Sequence, residues 1–494
     1  KLSKQLSDKK KKVVLTHGVF DLVHIGHLKY FQEAKDLGNI LIVSVTSDRY
    51  VKKGYNKPYF NEQKRCEYLS NLEIIDYVFL NDSISAVNSI NLLKPNFYVK
   101  GFDYKEKRGD EAGNLKSEVN ALKIHGGKFK VTSSQLFSST ELLNFNFNDF
   151  NPAKKKIDSY FKQNGGNKKL FIDNFYSIFK KIKKQKILVI GEIIIDKYIS
   201  TYPLGKPSKE DILSVNLLNE KIFYGGAIPI VKTISQFSDD VTFLSIYNSN
   251  KIKKEILSQL NKKVKVEALF SNEYKDIVKT RFLNENNTKI FETYNHNSNF
   301  NFEKKVDNFL KKNLKKYSHV IVADFGHGLI NDKIKEVIVS NSRHLSINVQ
   351  TNSGNRGFNL FSKYKKADFL CVDLGEMRLG LLDKFNAIND LLKNKNLNKY
   401  KNLILTLGSS GHIVKLKNKK TYSFPALNTK KILDTMGAGD AFYSYASCFV
   451  KETKDVFMIS VISGIAGALK TQIFGHSKFV NVADVEKSLK TLIK

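Results

Sequence analysis

The 494-residue sequence holds only three cysteines, Cys66, Cys371 and Cys448, far apart and with no CxxC pair. That spacing cannot build a disulfide framework, offers little for metal ligation, and fits a reducing, cytoplasmic compartment. No secretory leader is legible: residues 1–12 are basic, but the apolar stretch Val13–Leu15 is too short to form the core of one. The longest apolar run, Val456–Leu469, falls short of the roughly 20 residues that cross a bilayer, so a buried helix is expected there and no membrane insertion. Acidic residues are scarce as well. Against 81 Lys and Arg stand 48 Asp and Glu, a formal net charge of +33. The excess is dispersed apart from runs at Lys9–Lys12, Lys154–Lys156 and Lys180–Lys184, and no aromatic–basic RNA pattern accompanies it. A general lysine bias explains it better than a nucleic-acid partner, and a basic protein suits polyanionic substrates.

What is present is ample apolar material, 41% of residues with 12% aromatic, in a chain long enough for two or three domains. From Val13 onward short apolar strands alternate with helical patterns. Val13–Leu15, Ile40–Val45, Tyr77–Leu80 and Phe97–Val99 read as strands, with Ile25–Leu37 and Glu62–Leu72 as helices between them. This alternation predicts a parallel α/β sheet over residues 1–144. Residues 145–185 read as a connector, with a breaker cluster at Asn164–Asn167 and helical apolar spacing through Leu170, Phe171, Phe175, Ile178, Phe179 and Ile182. A second α/β region is expected over 186–494, with strands at Ile187–Ile190, Val241–Ile246, His319–Ala323, Leu345–Val349, Phe369–Val372 and Leu403–Thr406.

The sharpest local signal is the run Thr16–His27, which reads as strand, glycine turn and helix start. His24 and His27 lie three apart, so they share one face near a helix N-terminus, where free N–H groups and the dipole already favour phosphate. Gly18 and Gly26 allow close backbone approach to a nucleotide. The stretch resembles the HxGH nucleotidyltransferase superfamily, in particular the branch with glycerol-phosphate cytidylyltransferase and the heptose-phosphate nucleotidyltransferase domain. Three later segments match in order: Ser47–Arg65, Lys94–Tyr104 (Phe102 replacing a glycine) and Phe137–Leu143. The resemblance implies nucleotide or phosphate contacts from Gly18, Phe20, Lys53, Lys57, Arg65, Lys100, Ser138, Ser139 and Thr140. The implied chemistry is attack of a sugar phosphate on the α-phosphorus of ATP or CTP, with His24 and His27 catalytic and Mg²⁺ travelling with the triphosphate.

The second strong signal is Asp434–Phe442, in which small residues open into an apolar helical run. Free amides at Gly437, Ala438 and Gly439 would form an anion hole, and Asp440 at the helix start would act as general base. This run resembles the "DTTGAGD-F" motif of the ribokinase family, with Met436 changed. Further landmarks follow in order. Gly191–Asp196 resembles the opening strand, with Glu192 for the usual Asp. Tyr224–Ala227 resembles the sugar-binding turn, with Pro229 where Asn is usual. Lys279–Arg281 and Asp324–Gly328 resemble segments of the heptose kinase branch. Asp373–Glu376 stands in for the metal and phosphate motif, and Leu405–Gly411 for the nucleotide loop. The resemblance implies sugar contacts from Asp196, Gly225 and Gly226, an indirect metal role for Asp373 and Glu376, and nucleotide contacts from Thr406, Gly408 and Gly411. It implies phosphorylation of a sugar or sugar-phosphate hydroxyl by ATP with Mg²⁺.

The expected architecture is therefore α/β, a Rossmann-like HxGH nucleotidyltransferase domain followed by a ribokinase-like α/β/α domain. The pairing implies a bifunctional enzyme making a nucleotide-activated sugar, ADP-heptose-like, for bacterial surface polysaccharide such as lipopolysaccharide. In the known fusion of this kind the kinase comes first; here the order is reversed. One live head with a degraded kinase, and a basic nucleic-acid-binding protein, are the competing readings. The sequence names neither the sugar nor the nucleotide of the first head, and leaves a homodimer open.

Overall fold

The computed structural model describes residues 11–51, 58–101, 104, 113–133, 152–286, 288–295, 303–427 and 432–493. The chain divides into two compact units, Lys1–Asn151 and Pro152–Lys494.

In the first unit β1 (Val13–Gly18), β2 (Ile40–Thr46), β3 (Tyr77–Asn81), β4 (Phe97–Lys100) and β5 (Lys128–Val131) form an all-parallel sheet in the order β3-β2-β1-β4-β5. Parallel sheets need cover on both faces, and the strand period of two supplies it. Val14, Leu41 and Val43 point to one face, against Phe31 and Leu69 from the helices Ile25–Lys35 and Glu62–Ser70. Val13, Leu15, Ile40 and Ile42 point to the other, against Ile90 and Leu122 from the helices Val87–Leu93 and Leu115–Ile124. The chain order reverses between β1 and β4. That switch point, outside the strands' carboxyl ends, is where open α/β sheets bind ligands. It places the Thr16–His27 run there.

In the second unit the strands are β6 (Lys186–Gly191), β7 (Ile193–Gly205), β8 (Ser214–Gly226), β9 (Asp240–Tyr247), β10 (Lys265–Phe270), β11 (Ile277–Leu283), β12 (Lys289–Asn295), β13 (His319–Asp324), β14 (Leu345–Val349), β15 (Ala367–Asp373), β16 (Tyr400–Thr406), β17 (His412–Lys415) and β18 (Tyr422–Phe424). Nine of them make one sheet, β10-β9-β6-β13-β14-β15-β16-β17-β18, parallel from β10 to β16 and antiparallel beyond. The helices Ala438–Glu452 and Val456–Lys470 are buried along most of their length. The apolar run at 456–469 is thus a core helix, and no helix among the described residues is long and apolar enough to cross a membrane.

A separate four-stranded sheet, β12-β11-β7-β8, carries Asp196, Gly225, Gly226 and Arg281. The sequence pattern does not reveal it as a sheet of its own. Most of β8 and β12 is exposed, so neither strand carries the buried alternation that reveals strands elsewhere. The stretch expected as a connector also differs. Helices Pro152–Gln163 and Lys168–Lys183 are counted with the second unit. Phe171 packs edge-on to Phe457, and Phe175 stacks on Phe449. Leu170, expected on the apolar face, is 53% exposed.

Candidate active sites

At the first site, β1 ends at Gly18 and the chain turns through Phe20, whose φ of +48° is unusual for a bulky residue. The turn is locked from behind by Arg65. Its guanidinium is completely buried and donates to the carbonyls of Phe60 (3.0 Å), Thr46 (2.7 Å) and Val19, and to Asp48 Oδ1 (2.7 Å). Arg65, expected on phosphates, is instead an internal brace, because its donors are spent on protein oxygens. Tyr68 Oη adds donations to the carbonyls of Phe20 and Asp21.

His24 is the N-cap of the helix Ile25–Lys35. Its Nδ1 accepts from the Gly26 amide at 3.1 Å. An accepting Nδ1 puts the ring proton on Nε2. That Nε2 is buried and without a hydrogen-bond partner among the described residues, and burial lowers the ring's pKa, so a neutral N–H donor is held ready. The His24 and His27 rings lie 4.2 Å apart between centroids. Phe20 meets His27 edge-on at 5.7 Å, and a Cβ on Gly18 would sit 3.0 Å from the Phe20 ring. Phe20 and Gly18 therefore shape the wall behind the imidazole pair.

His17, at the end of β1, is pinned by Ser44 Oγ (3.0 Å) and Thr46 Oγ1 (3.4 Å) and is kept neutral by burial and by nearby Lys100, its pKa pushed down to about 3. Lys100, expected on phosphates, is also internal: its ammonium donates to the His17 carbonyl at 3.2 Å and faces Glu118 at 3.7 Å. It ties β4 to the end of β1 across the switch point. Lys53, Lys57, Ser138, Ser139 and Thr140 lie outside the described residues.

The second site is a cavity of about 550 Å³ between the four-stranded sheet and the carboxyl ends of the large one. Asp440, Gly437, Asp196, Gly226, Asp373 and Glu376 all line it. Asp440 sits in the first turn of the helix Ala438–Glu452, with Gly437 as N-cap at φ +72°, a left-handed conformation that favours glycine. Asp440 Oδ1 accepts from Gln350 Nε2 at 2.6 Å. Burial pushes the Asp440 pKa up to about 6; Gln350 and Lys470 pull against it, and Asp196 adds to the rise. A carboxyl so placed is a competent base near neutral pH.

Across the cavity, Asp196 is paired with Arg281, and a Cβ on Gly225 would fall 2.2 Å from Asp196 Oδ2, so only glycine leaves room for that carboxylate. Beneath the anion loop lies Lys470, 2% exposed, its ammonium donating to the carbonyls of Met436 (2.7 Å) and Gly475 (2.7 Å). The departures from the family pattern have local explanations. Met436 Sδ accepts from Tyr198 Oη at 2.9 Å. Glu192 reaches across to accept from the amides of Phe325 and His327, both at 3.1 Å, and so anchors the turn after β13. Pro229 falls in the first turn of the helix Ala227–Ile234, where a missing N–H breaks no helical bond.

Asp373 and Glu376 form a reciprocal capping box at the start of the helix Leu374–Leu381. Burial and the neighbouring Asp373 push Glu376 up to about 8. Among the described residues no three metal-ligating side chains converge. Two crowded carboxylates fit a divalent cation held chiefly by triphosphate oxygens and water. Thr406 is paired with Asp373 across β15 and β16, but Thr406, Gly408, Gly411, Ala438 and Gly439 are not part of the cavity wall. Gln350, Lys470, His476 and Arg356 were not found by sequence reasoning. Lys470 ends the apolar helix Val456–Lys470, His476 and Arg356 come from segments with no local pattern, and the strand-end position of Gln350 after β14 carries a hint.

Residues 184–454, more than half the chain, match the pfkB family of carbohydrate kinases, and the chain belongs to that family. Residues 15–206 match the cytidylyltransferase-like family, so the chain joins a cytidylyltransferase-like domain to a carbohydrate-kinase domain. Among curated proteins, the bifunctional protein HldE of a Nitratiruptor species is 44% identical over 129 residues, 26% of this chain and 28% of that protein. HldE of Aliarcobacter butzleri is 35% identical over 147 residues, 29% of this chain and 30% of that one. The alignments thus span less than a third of those relatives' length. The crystal structure of a ribokinase from Thermotoga maritima covers 62% of this chain and 99% of its own, at a TM-score of 0.50 and 17% identity, a likeness of fold.

Proposed function

We propose that the protein is a bifunctional enzyme in which the second unit phosphorylates a sugar or sugar phosphate with ATP and the first activates a sugar 1-phosphate with a nucleotide. The observation that carries the kinase half is the buried Asp440, facing Asp196 and Arg281 across one cavity at the mouth of a helix. A hydroxyl of the sugar, oriented by Asp196, gives its proton to Asp440 as its oxygen attacks the γ-phosphorus of ATP and ADP leaves. The helix mouth at Gly437 steadies the transferring group, the Ala438 amide being already given to the Thr435 carbonyl at 3.3 Å, and Lys470 fixes the loop. Mg²⁺, held by the phosphates with Asp373 and Glu376, would supply charge neutralisation.

In the first unit a sugar phosphate oxygen attacks the α-phosphorus of the nucleotide and pyrophosphate leaves. His24 and His27 donate to the phosphate oxygens as charge shifts there. The likeness of Lys94–Tyr104, Lys279–Arg281 and Asp324–Gly328 to the heptose branches supports a heptose phosphate as substrate, ATP as nucleotidyl donor and an ADP-heptose-like product for surface polysaccharide, and the HldE relatives are bifunctional proteins. The three unpaired cysteines support a reducing, cytoplasmic setting.

A parallel screen tests both halves. ADP release is followed with ATP and a panel of hexose and heptose phosphates, and pyrophosphate release with ATP or CTP and sugar 1-phosphates. ADP release with at least one acceptor and pyrophosphate release with at least one sugar 1-phosphate are expected. Silence of either readout across its panel overturns that half alone.

A further inference from the structure

His476 follows the turn at Gly475, and none of the recognisable motifs reaches it. Its ring lines the 550 Å³ cavity and separates it from a second one of about 290 Å³. Two glycines make room for it: an added Cβ would lie 3.1 Å from Nε2 at Gly225 and 3.0 Å from Cε1 at Gly437. The ring is thus wedged between the turn that holds the Asp196 carboxylate and the first residue of the anion loop.

The side chain is 7% exposed, with Nε2 3.6 Å from Asp196 Oδ2. Burial pushes the His476 pKa down to about 4; Asp196 and Asp434 oppose the fall, and Lys470 and Arg281 deepen it. The ring is therefore neutral near pH 7 and carries one N–H. The facing carboxylate draws that proton to Nε2, which leaves Nδ1 as an acceptor. Nδ1 is shielded from solvent and has no hydrogen-bond partner among the described residues. Buried acceptors are normally satisfied, so an orphan in the wall of a binding cavity marks a place that a ligand completes.

We propose that His476 is a substrate-positioning and specificity residue of the kinase cavity, its Nδ1 accepting a hydrogen bond from a sugar hydroxyl beside the one held by Asp196. This rests on the kinase reading above. Asp196 and Nδ1 are both acceptors, so the matching ligand edge carries two O–H donors: a vicinal diol. A phosphate or carboxylate presented to that edge would meet only lone pairs.

The test uses the full chain and three variants. His476→Asn keeps a polar atom near the Nδ1 position, His476→Gln reaches the Nε2 position instead, and His476→Phe keeps the ring without nitrogen. With the acceptor found in the ADP-release screen, KM for the sugar should rise by roughly tenfold or more in the Phe and Gln variants and less in the Asn variant, with KM for ATP unchanged. Equal sugar KM in all four proteins overturns the proposal, and so does a parallel rise in both KM values, which marks a merely structural ring. If the screen yields no acceptor, the kinase reading has failed on its own. The diol site is then read by saturation-transfer NMR with D-mannose as probe. Signal in the wild type that is lost in His476→Phe supports it; no signal, or equal signal, overturns it.

Discussion

The two candidate sites both use the start of a helix, yet they treat charge in opposite ways. In the first unit the helix start carries two imidazoles, and two of the cations expected there, Arg65 and Lys100, are spent on protein oxygens. In the second the helix start carries a buried carboxylate whose pKa is pushed up to about 6, with a buried ammonium beneath the loop. One site offers imidazole donors to phosphates already charged; the other must remove a proton from a neutral hydroxyl. The contrast teaches that a helix N-terminus supplies the anion grip in both, and the side chain added to it decides whether proton removal is part of the job.

The sharpest break in that comparison is Asp440→Asn. Phosphoryl transfer should fall about 10²–10⁴-fold while pyrophosphate release is unchanged, measured side by side on one preparation. The reciprocal break is the double variant His24→Ala, His27→Ala, for which pyrophosphate release should drop by about 10²–10³-fold and ADP release should persist. A pH profile sharpens the contrast. The base form of Asp440 is the carboxylate and its pKa is raised, so phosphoryl transfer should fall about tenfold per unit as pH drops below about 6. Lys470→Met removes the ammonium and its donations to the carbonyls of Met436, Ile473 and Gly475. A loss of about 1–3 kcal/mol is expected in denaturant unfolding of the second unit, with a lower kcat for phosphoryl transfer. The smallest effect is expected from Met436→Thr, which gives up the contact with Tyr198 Oη and should cost under about 1 kcal/mol, with kinase activity retained.

What could be read in advance follows from how local each signal is. The run from Thr16 to His27 is contiguous, so strand, turn and helix start with its two histidines were legible together, whereas the N-cap role of His24 was not. Asp440 was legible because its loop and helix follow each other directly. Arg65 and Lys100 were legible as cations but not in their roles, since the donors that suit a phosphate suit carbonyl oxygens equally well. Gln350 and His476 are brought to the cavity, and Lys470 beneath its loop, by the nine-stranded sheet and its covering helices, and nothing adjacent to them in the chain announces it. The sheet that carries Asp196 was obscured because β8 and β12 are largely exposed and lose the buried alternation that betrays a strand.

The helices between residues 152 and 183 carry a practical message about where the chain can be cut. Phe171 and Phe175 from the second of them shield Phe457 and Phe449, and Phe179 covers Phe237. A kinase fragment begun at Lys186 would leave those rings bare to water and should clump on expression, whereas one begun at Pro152 brings its own lining and should stay dispersed.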